Sequence, residues 1–301
     1  MGAQARSGSL CYWRFAPDAT KMRPMFRTPF NLISALILLG CGATQTAVNV
    51  APASSAAPAP STAVPAAAPN AAASQVRASA LSVVAAADRG DPDRELDAGR
   101  KPAELLTFLG ITPGMRVLDL AAGAGYTTEL LARMVGDKGQ VYGENPKFIL
   151  GFAEEKWSQR LQKPVMKHVT RVDAELDGDW PAEVKNLDLV TLVLFYHDTV
   201  WLKTDRAKMN ANVLAALKPG GIYAIVDHSS KPGDGVTVAQ TLHRIEESVV
   251  KDEVTKAGFV LDAEADFLRE PSDTRDWSAS PKTAGERRDH SDRFVLRFKK
   301  P

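Results

Sequence analysis

Ten residues, Val117-Leu118-Asp119-Leu120-Ala121-Ala122-Gly123-Ala124-Gly125-Tyr126, restrict the fold more than any other part of this 301-residue chain. An apolar run that reads as a buried strand passes through a turn of small residues into a helix starting at Thr127 or Thr128. Small residues let the backbone approach a ligand closely, and a helix N-terminus favours negative groups. A nicotinamide dinucleotide fingerprint would need a third glycine at position 128, where the chain has Thr128. Nor does that fingerprint suit a carboxylate at the strand end, where Asp119 stands.

The rest of the chain repeats the strand-then-helix theme. Strands are expected over Met115–Leu120, Gln140–Gly143, Val165–Asp173, Leu187–Tyr196, Ile222–Val226, Phe259–Leu268 and Arg293–Phe298. Helices are expected over Arg100–Leu109, Thr127–Val135, Phe148–Leu161, Asp205–Leu217 and, as one long helix, Val236–Ala257. Seven strands with intervening helices predict an α/β fold, a Rossmann-like doubly wound and mostly parallel sheet. Its ligand should sit at the C-terminal ends of the strands.

The N-terminal part has a different character. Lys21 to Arg27 is basic, Phe30–Leu39 is apolar, and Leu38-Leu39-Gly40-Cys41 resembles the bacterial lipobox, in which the cysteine is lipidated. About ten apolar residues fall well short of the roughly 20 needed to span a bilayer. Residues 1–40 therefore read as a leader, with 22–40 the signal, Cys41 the lipid attachment site and Met22 or Met25 an alternative start. Residues 42–76 contain no Asp, Glu, Lys or Arg, and 14 Ala and 5 Pro among 35 positions. The prolines break any alanine-rich helix, so residues 41–79 are expected to be a disordered tether and 80–301 the folded domain.

Charge changes meaning once these parts are separated. The whole chain has 37 Lys+Arg and 36 Asp+Glu, whereas removing residues 1–41 leaves 32 basic and 35 acidic residues. A weakly acidic domain is not a nucleic-acid binder working by bulk electrostatics. The two cysteines, Cys11 and Cys41, build no disulfide framework, and there is no pair of CxxC motifs for a structural zinc.

Taken in order, the glycine turn and four later stations resemble a class I S-adenosylmethionine-dependent methyltransferase over about residues 95–300. The resemblance implies that Asp119, Ala121, Gly123 and Gly125 hold the methionine part of S-adenosylmethionine. It further implies that Glu144 meets the ribose hydroxyls and Asp173 the adenine amino group. Leu187-Asp188-Leu189-Val190 matches the fourth-strand motif, and Leu217-Lys218-Pro219-Gly220-Gly221 the turn before the fifth strand. Tyr196-His197-Asp198, Asp227-His228, Leu242-His243-Arg244 and Arg293-Phe294-Val295-Leu296 are similar to a bacterial group of predicted methyltransferases. Ala121 departs from the usual glycine, a small-for-small change expected to cost little, and Glu144 is followed by Asn145-Pro146 rather than a second acid.

Methyl transfer needs an aligned nucleophile and, for some acceptors, a base. His197, Asp198, Asp227, His228 and His243 lie at or after the fourth and fifth strands and are the candidate catalytic residues. A neutral histidine near its unperturbed pKa of about 6.5 would serve as the base. His197, Asp198, His228, His243 and Glu247 also admit a metal, since His243 and Glu247 fall at i and i+4 of the expected long helix. That spacing is common without a metal, and none is assigned. Trp157, Trp180, Trp201 and Trp277 read as packing residues, and the loops Ser229–Gly235 and Pro271–Asp292 as mobile coverings.

The expectation is thus a methyltransferase exported to the bacterial cell envelope and lipid-anchored, acting on a small-molecule or envelope substrate. If the signal reading fails, the expected location is the cytoplasm. The alternative is a non-catalytic binding or scaffold protein on the same fold, which export away from the cytoplasmic cofactor supply would favour.

Overall fold

The computed structural model describes residues 71–301. The expected signal, Cys41 and most of the expected tether lie outside the described residues.

Strands β1 (Arg116–Leu120), β2 (Gln140–Asn145), β3 (Val169–Asp173), β4 (Leu187–Val193), β5 (Leu217–His228), β6 (Val260–Ala265) and β7 (Arg293–Lys299) form one sheet in the order β3-β2-β1-β4-β5-β7-β6. The first five run parallel, and β7 enters antiparallel between β5 and β6. This is the doubly wound, mostly parallel seven-stranded sheet that the sequence predicts.

The central strands are mostly apolar because both faces are covered, and successive side chains go to opposite faces. Val117, Leu189, Ala224 and Val226 pack into one cluster with α1 (Ala71–Val84), α3 (Pro102–Leu109) and α4 (Tyr126–Val135). Leu118, Leu120, Val190, Leu192, Tyr223 and Ile225 pack into the other, against α7 (Arg206–Ala216) and α9 (Glu247–Lys256). Two further helices, α2 (Asp91–Arg100) and α5 (Lys147–Leu161), brace the ligand edge of the sheet. The order reverses between β1 and β4, so the crevice of a doubly wound sheet opens where the glycine turn leaves β1.

Three local expectations differ from the structure. Helix α1 begins at Ala71, inside the span 41–79 read as tether. The prolines that break helix in that span stop at Pro69, and beyond it the alanine-rich sequence is free to coil and bury Ala80.

The long helix Val236–Ala257 is two pieces, α8 (Ala239–Leu242) and α9. His243 sits between them in the left-handed region at φ 50°. Ile245 then runs beside the end of β5, donating its N–H to His228 O (3.0 Å) and accepting from Ser230 N (3.0 Å). Burial of Arg244 and Ile245, both 0% exposed, overrides the helical propensity of the segment. His243 and Glu247 therefore do not share a helix face, and Glu247 instead pairs with Lys251 and Arg269.

The Pro271–Asp292 segment is also no loose cover. Asp273 receives Arg244 in an ion pair whose two side chains are both 0% exposed, and Arg275 and Arg269 hold Asp292.

Candidate active site

The turn after β1 is fixed from below. Asp119 is fully buried and accepts from Thr128 Oγ1 (2.6 Å) and Thr191 Oγ1 (2.8 Å). The residue that breaks the dinucleotide fingerprint is thus the first ligand of the strand-end acid. Burial pushes the Asp119 carboxyl up to about 6, against the pull of those two hydroxyls. Ala121 takes φ 50°, where a Cβ is unfavourable by about 1–2 kcal/mol, so the Gly-to-Ala departure costs more than a small-for-small exchange would suggest.

Two neighbours on β2 hold the turn in place. Glu144 Oε2 accepts from Ala121 N (2.9 Å), and Asn145 both accepts from Gly123 N (2.8 Å) and donates to Gly123 O (3.1 Å). Glu144 is 0% exposed, its Oε1 has no partner among the described residues, and burial holds its carboxyl well above the ordinary range. Below the turn lies Trp157, also 0% exposed. A Cβ at Gly125 would stand 2.5 Å from Trp157 Cζ3, and one at Gly143 2.6 Å from its Cη2. Arg160 closes the clamp by donating to Ala124 O (2.5 Å) while both oxygens of Asp93 hold its guanidinium. Above Gly123 the space is open, with only Ala121 O at 4.0 Å.

Asp173 ends β3 as expected, but it is exposed and Arg171 holds both its oxygens (2.7 and 3.0 Å).

Beyond β4 and β5 the expected catalytic residues do come together. Short helix α6 (Asp198–Trp201) follows His197 directly. Asp227 is 0% exposed and receives His197 N, His228 N and the His197 ring Nδ1, each at 2.7 Å. Asp227 therefore orients His197 across the strands and not its chain neighbour His228. His197 Nε2 lies 3.2 Å from His243 Nδ1 and 3.2 Å from Asp198 Oδ1. His228 Nδ1 is 2.7 Å from Ser291 Oγ.

Electrostatics separate the two inner histidines. Burial disfavours an imidazolium at His197, but the Asp227 carboxylate and the bonds to Asp198 and Asp227 outweigh it, pushing the pKa up to about 10. Burial, aided by the charge of His197, holds His228 well below its ordinary value. Asp198 is held well below the carboxylate range, because bonds from His197 and His243 overcome its burial. Neither inner histidine matches the near-neutral base expected from the sequence.

A small, mostly apolar cavity links the turn to the end of β4, lined by Tyr126, Leu130, Val193, Leu194, Arg100 and Arg293. Among the described residues neither arginine has an ion-pair partner. Arg293 donates to the carbonyls of Gly99, Asp289 and Ser291, and Arg100 stacks 4.5 Å from the Tyr126 ring centroid with its Nε unpartnered. Burial depresses the pKa of both, as expected for buried charges that lack a counter-ion. The sequence reading did not select Arg100, Arg293, Asn145, Trp157 or Arg160 for this site. A hint existed for Asn145 alone, which adjoins the expected acid.

The family model for protein-L-isoaspartate(D-aspartate) O-methyltransferase matches residues 94–169, a stretch that includes the turn, Glu144 and Asn145. The ubiquinone/menaquinone biosynthesis C-methyltransferase UbiE of Shewanella sediminis is 32% identical over 126 residues, 42% of this chain and 47% of the relative. Trans-aconitate 2-methyltransferase of Yersinia pseudotuberculosis is 30% identical over 139 residues, 45% of this chain and 48% of that protein. The chain thus spans about half the length of the curated relatives it matches. A crystal structure of a SAM-dependent methyltransferase from Aquifex aeolicus superposes with a TM-score of 0.49 and 20% identity, covering 70% of this chain and 99% of that one.

Proposed function

We propose that the chain is an S-adenosylmethionine-dependent methyltransferase whose cofactor lies on the Ala121–Gly125 turn. The observation that carries this reading is the orphaned Glu144 Oε1, a buried carboxyl oxygen without a hydrogen-bond partner among the described residues, beside a glycine turn with open space above it. Buried acceptors are almost always satisfied, so an unsatisfied one at a ligand edge points to a donor that the protein does not supply. A ribose hydroxyl is such a donor. The match to a methyltransferase family model over 94–169 supports the same assignment.

The remaining groups fit the cofactor's other parts. Its methionine carboxylate would meet the uncompensated guanidinium of Arg100, and Asp173 would exchange one contact with Arg171 for the adenine amino group. When bound, the cofactor supplies an electrophilic methyl on a sulfonium, which the acceptor displaces in line. The chain's part is to orient the acceptor at the ends of β4 and β5 and exclude water there. His197, held by Asp227 on one side and Asp198 on the other, positions an acceptor there rather than acting as a free, near-neutral base. We infer that the acceptor is a small molecule or a component of the cell envelope.

Isothermal titration of the full-length protein with S-adenosylmethionine and S-adenosylhomocysteine should give saturable binding at one site per chain. Absence of heat from folded protein with either ligand overturns the proposal. We also infer export and lipid attachment at Cys41, from the signal pattern that precedes it. Labelled palmitate should enter the wild-type protein in a bacterial host and not Cys41→Ser; equal labelling of the two refutes this.

A further inference from the structure

Three potential ligand atoms meet at one point beyond the sheet. His197 Nε2, Asp198 Oδ1 and His243 Nδ1 form a triangle with edges of 3.2, 3.2 and 3.3 Å. Ligands about 2.0–2.1 Å from a common ion stand that far apart when the angles between them are about 99–111°, around the tetrahedral value. We propose that His197, Asp198 and His243 bind a divalent first-row transition ion as a two-histidine, one-carboxylate face, with the remaining positions open to a ligand.

Several features of the surroundings serve such an ion. The far nitrogen of His197 is tied to Asp227 (2.7 Å), which selects the tautomer that leaves Nε2 facing the triangle. A carboxylate behind a ligating histidine is the usual outer support of a protein metal site. Trp201 Nε1 donates to Asp198 Oδ1 (2.8 Å), occupying one lone pair and leaving a second for a metal. His243 is held in the left-handed region at the end of α8, a conformation uncommon for residues other than glycine, with its ring beside the other two ligands. The residue after it, Arg244, is locked by the buried Asp273 pair, so the bend cannot relax outward. Charge points the same way, because two carboxylates, Asp198 and Asp227, face two imidazoles that would be neutral when ligating, and a dication balances them.

The sequence pointed to a wider set, His197, Asp198, His228, His243 and Glu247. The break at His243 removes Glu247, which pairs with Lys251 and Arg269, and His228 turns to Ser291 Oγ, so His197, Asp198 and His243 remain. This site is independent of the cofactor reading, since it uses none of the residues that hold the glycine turn.

The test is zinc uptake by the full-length protein after chelator treatment, followed by calorimetry and elemental analysis, with Co²⁺ as a visible-absorption probe. Wild type should take up one equivalent of Zn²⁺. Its Co²⁺ form should show ligand-field bands that are lost in His243→Asn. That substitution suits the left-handed backbone and lies at a half-exposed position, so the fold should survive, while Zn²⁺ affinity falls at least tenfold. Asp198→Asn should weaken binding similarly, and His290→Gln, at an exposed residue outside the triangle, should leave it unchanged. Folded wild type without stoichiometric zinc, or His243→Asn binding as tightly as wild type, overturns the proposal.

Discussion

Asp273→Ala should destabilise the domain by about 3–5 kcal/mol, the range for breaking a buried ion pair by removing one partner. The size of the effect comes from what is left behind. Arg244 would keep Ser229 O (3.0 Å), Trp277 O (3.1 Å) and the Trp277 ring (4.7 Å), none of which carries a negative charge. Asp273 also accepts from Asp292 N (2.6 Å) and Arg275 N (2.9 Å), so its loss frees the two backbone donors that shape the 271–292 segment. Urea denaturation monitored by circular dichroism measures the change. The double variant Arg244→Met/Asp273→Leu should recover the part of the loss that comes from the unpaired buried charge, while the two freed backbone donors stay unmet. A loss below about 1 kcal/mol in Asp273→Ala would show that water reaches the pair.

Gly125→Ala should lose at least a hundredfold in S-adenosylmethionine affinity and about 2–5 kcal/mol in stability. Two effects add. At φ 81° a Cβ is strained by about 1–2 kcal/mol, and overpacking a tight site costs about 1–3 kcal/mol. The methyl would stand 2.5 Å from Trp157, which is completely buried and has no room to retreat, so the turn itself must shift. Gly123→Ala separates the two effects. It has open space around it and φ 60°, so it should retain stability to within about 2 kcal/mol while its methyl intrudes on the ligand face. Thermal melts with and without S-adenosylmethionine distinguish the variants. A Gly125→Ala protein that melts and binds like wild type would mean that Trp157 does not fix the turn.

The sheet is legible in the sequence because its central strands are buried on both faces and therefore appear as largely apolar runs bounded by turn residues. The turn and His197, Asp227 and His228 are legible because they lie at strand ends, whereas His243 lies between α8 and α9. Legibility ends where tertiary contacts decide local structure. Nothing between Val236 and Ala257 is a helix breaker, yet burial of Arg244 and Ile245 pulls the chain out of the helix at His243. Arg100 and Arg293 are nearly two hundred residues apart, and only the fold brings both to one cavity. Trp157 was legible as a packing residue, but its partners, the glycines of two separate strand ends, were not. The acid expected after β2 does reach the turn, whereas the brace on Gly123 comes from the neighbouring Asn145.

The placement of β7 governs the order in which the sheet can be made. Strand β6 has no partner but β7, and β7 follows it by some thirty residues. During synthesis a nascent chain that has just emerged through Ala265 has an open edge on β5 and a β6 with nowhere to pair. Unpaired edges attract other chains, so this stretch of synthesis is when the protein is most exposed to misassembly and to chaperones. Arg293, which opens β7 and lines the cavity, reaches its place in the same step that seals the edge. Sheet closure and cavity completion are therefore a single late event on the folding path.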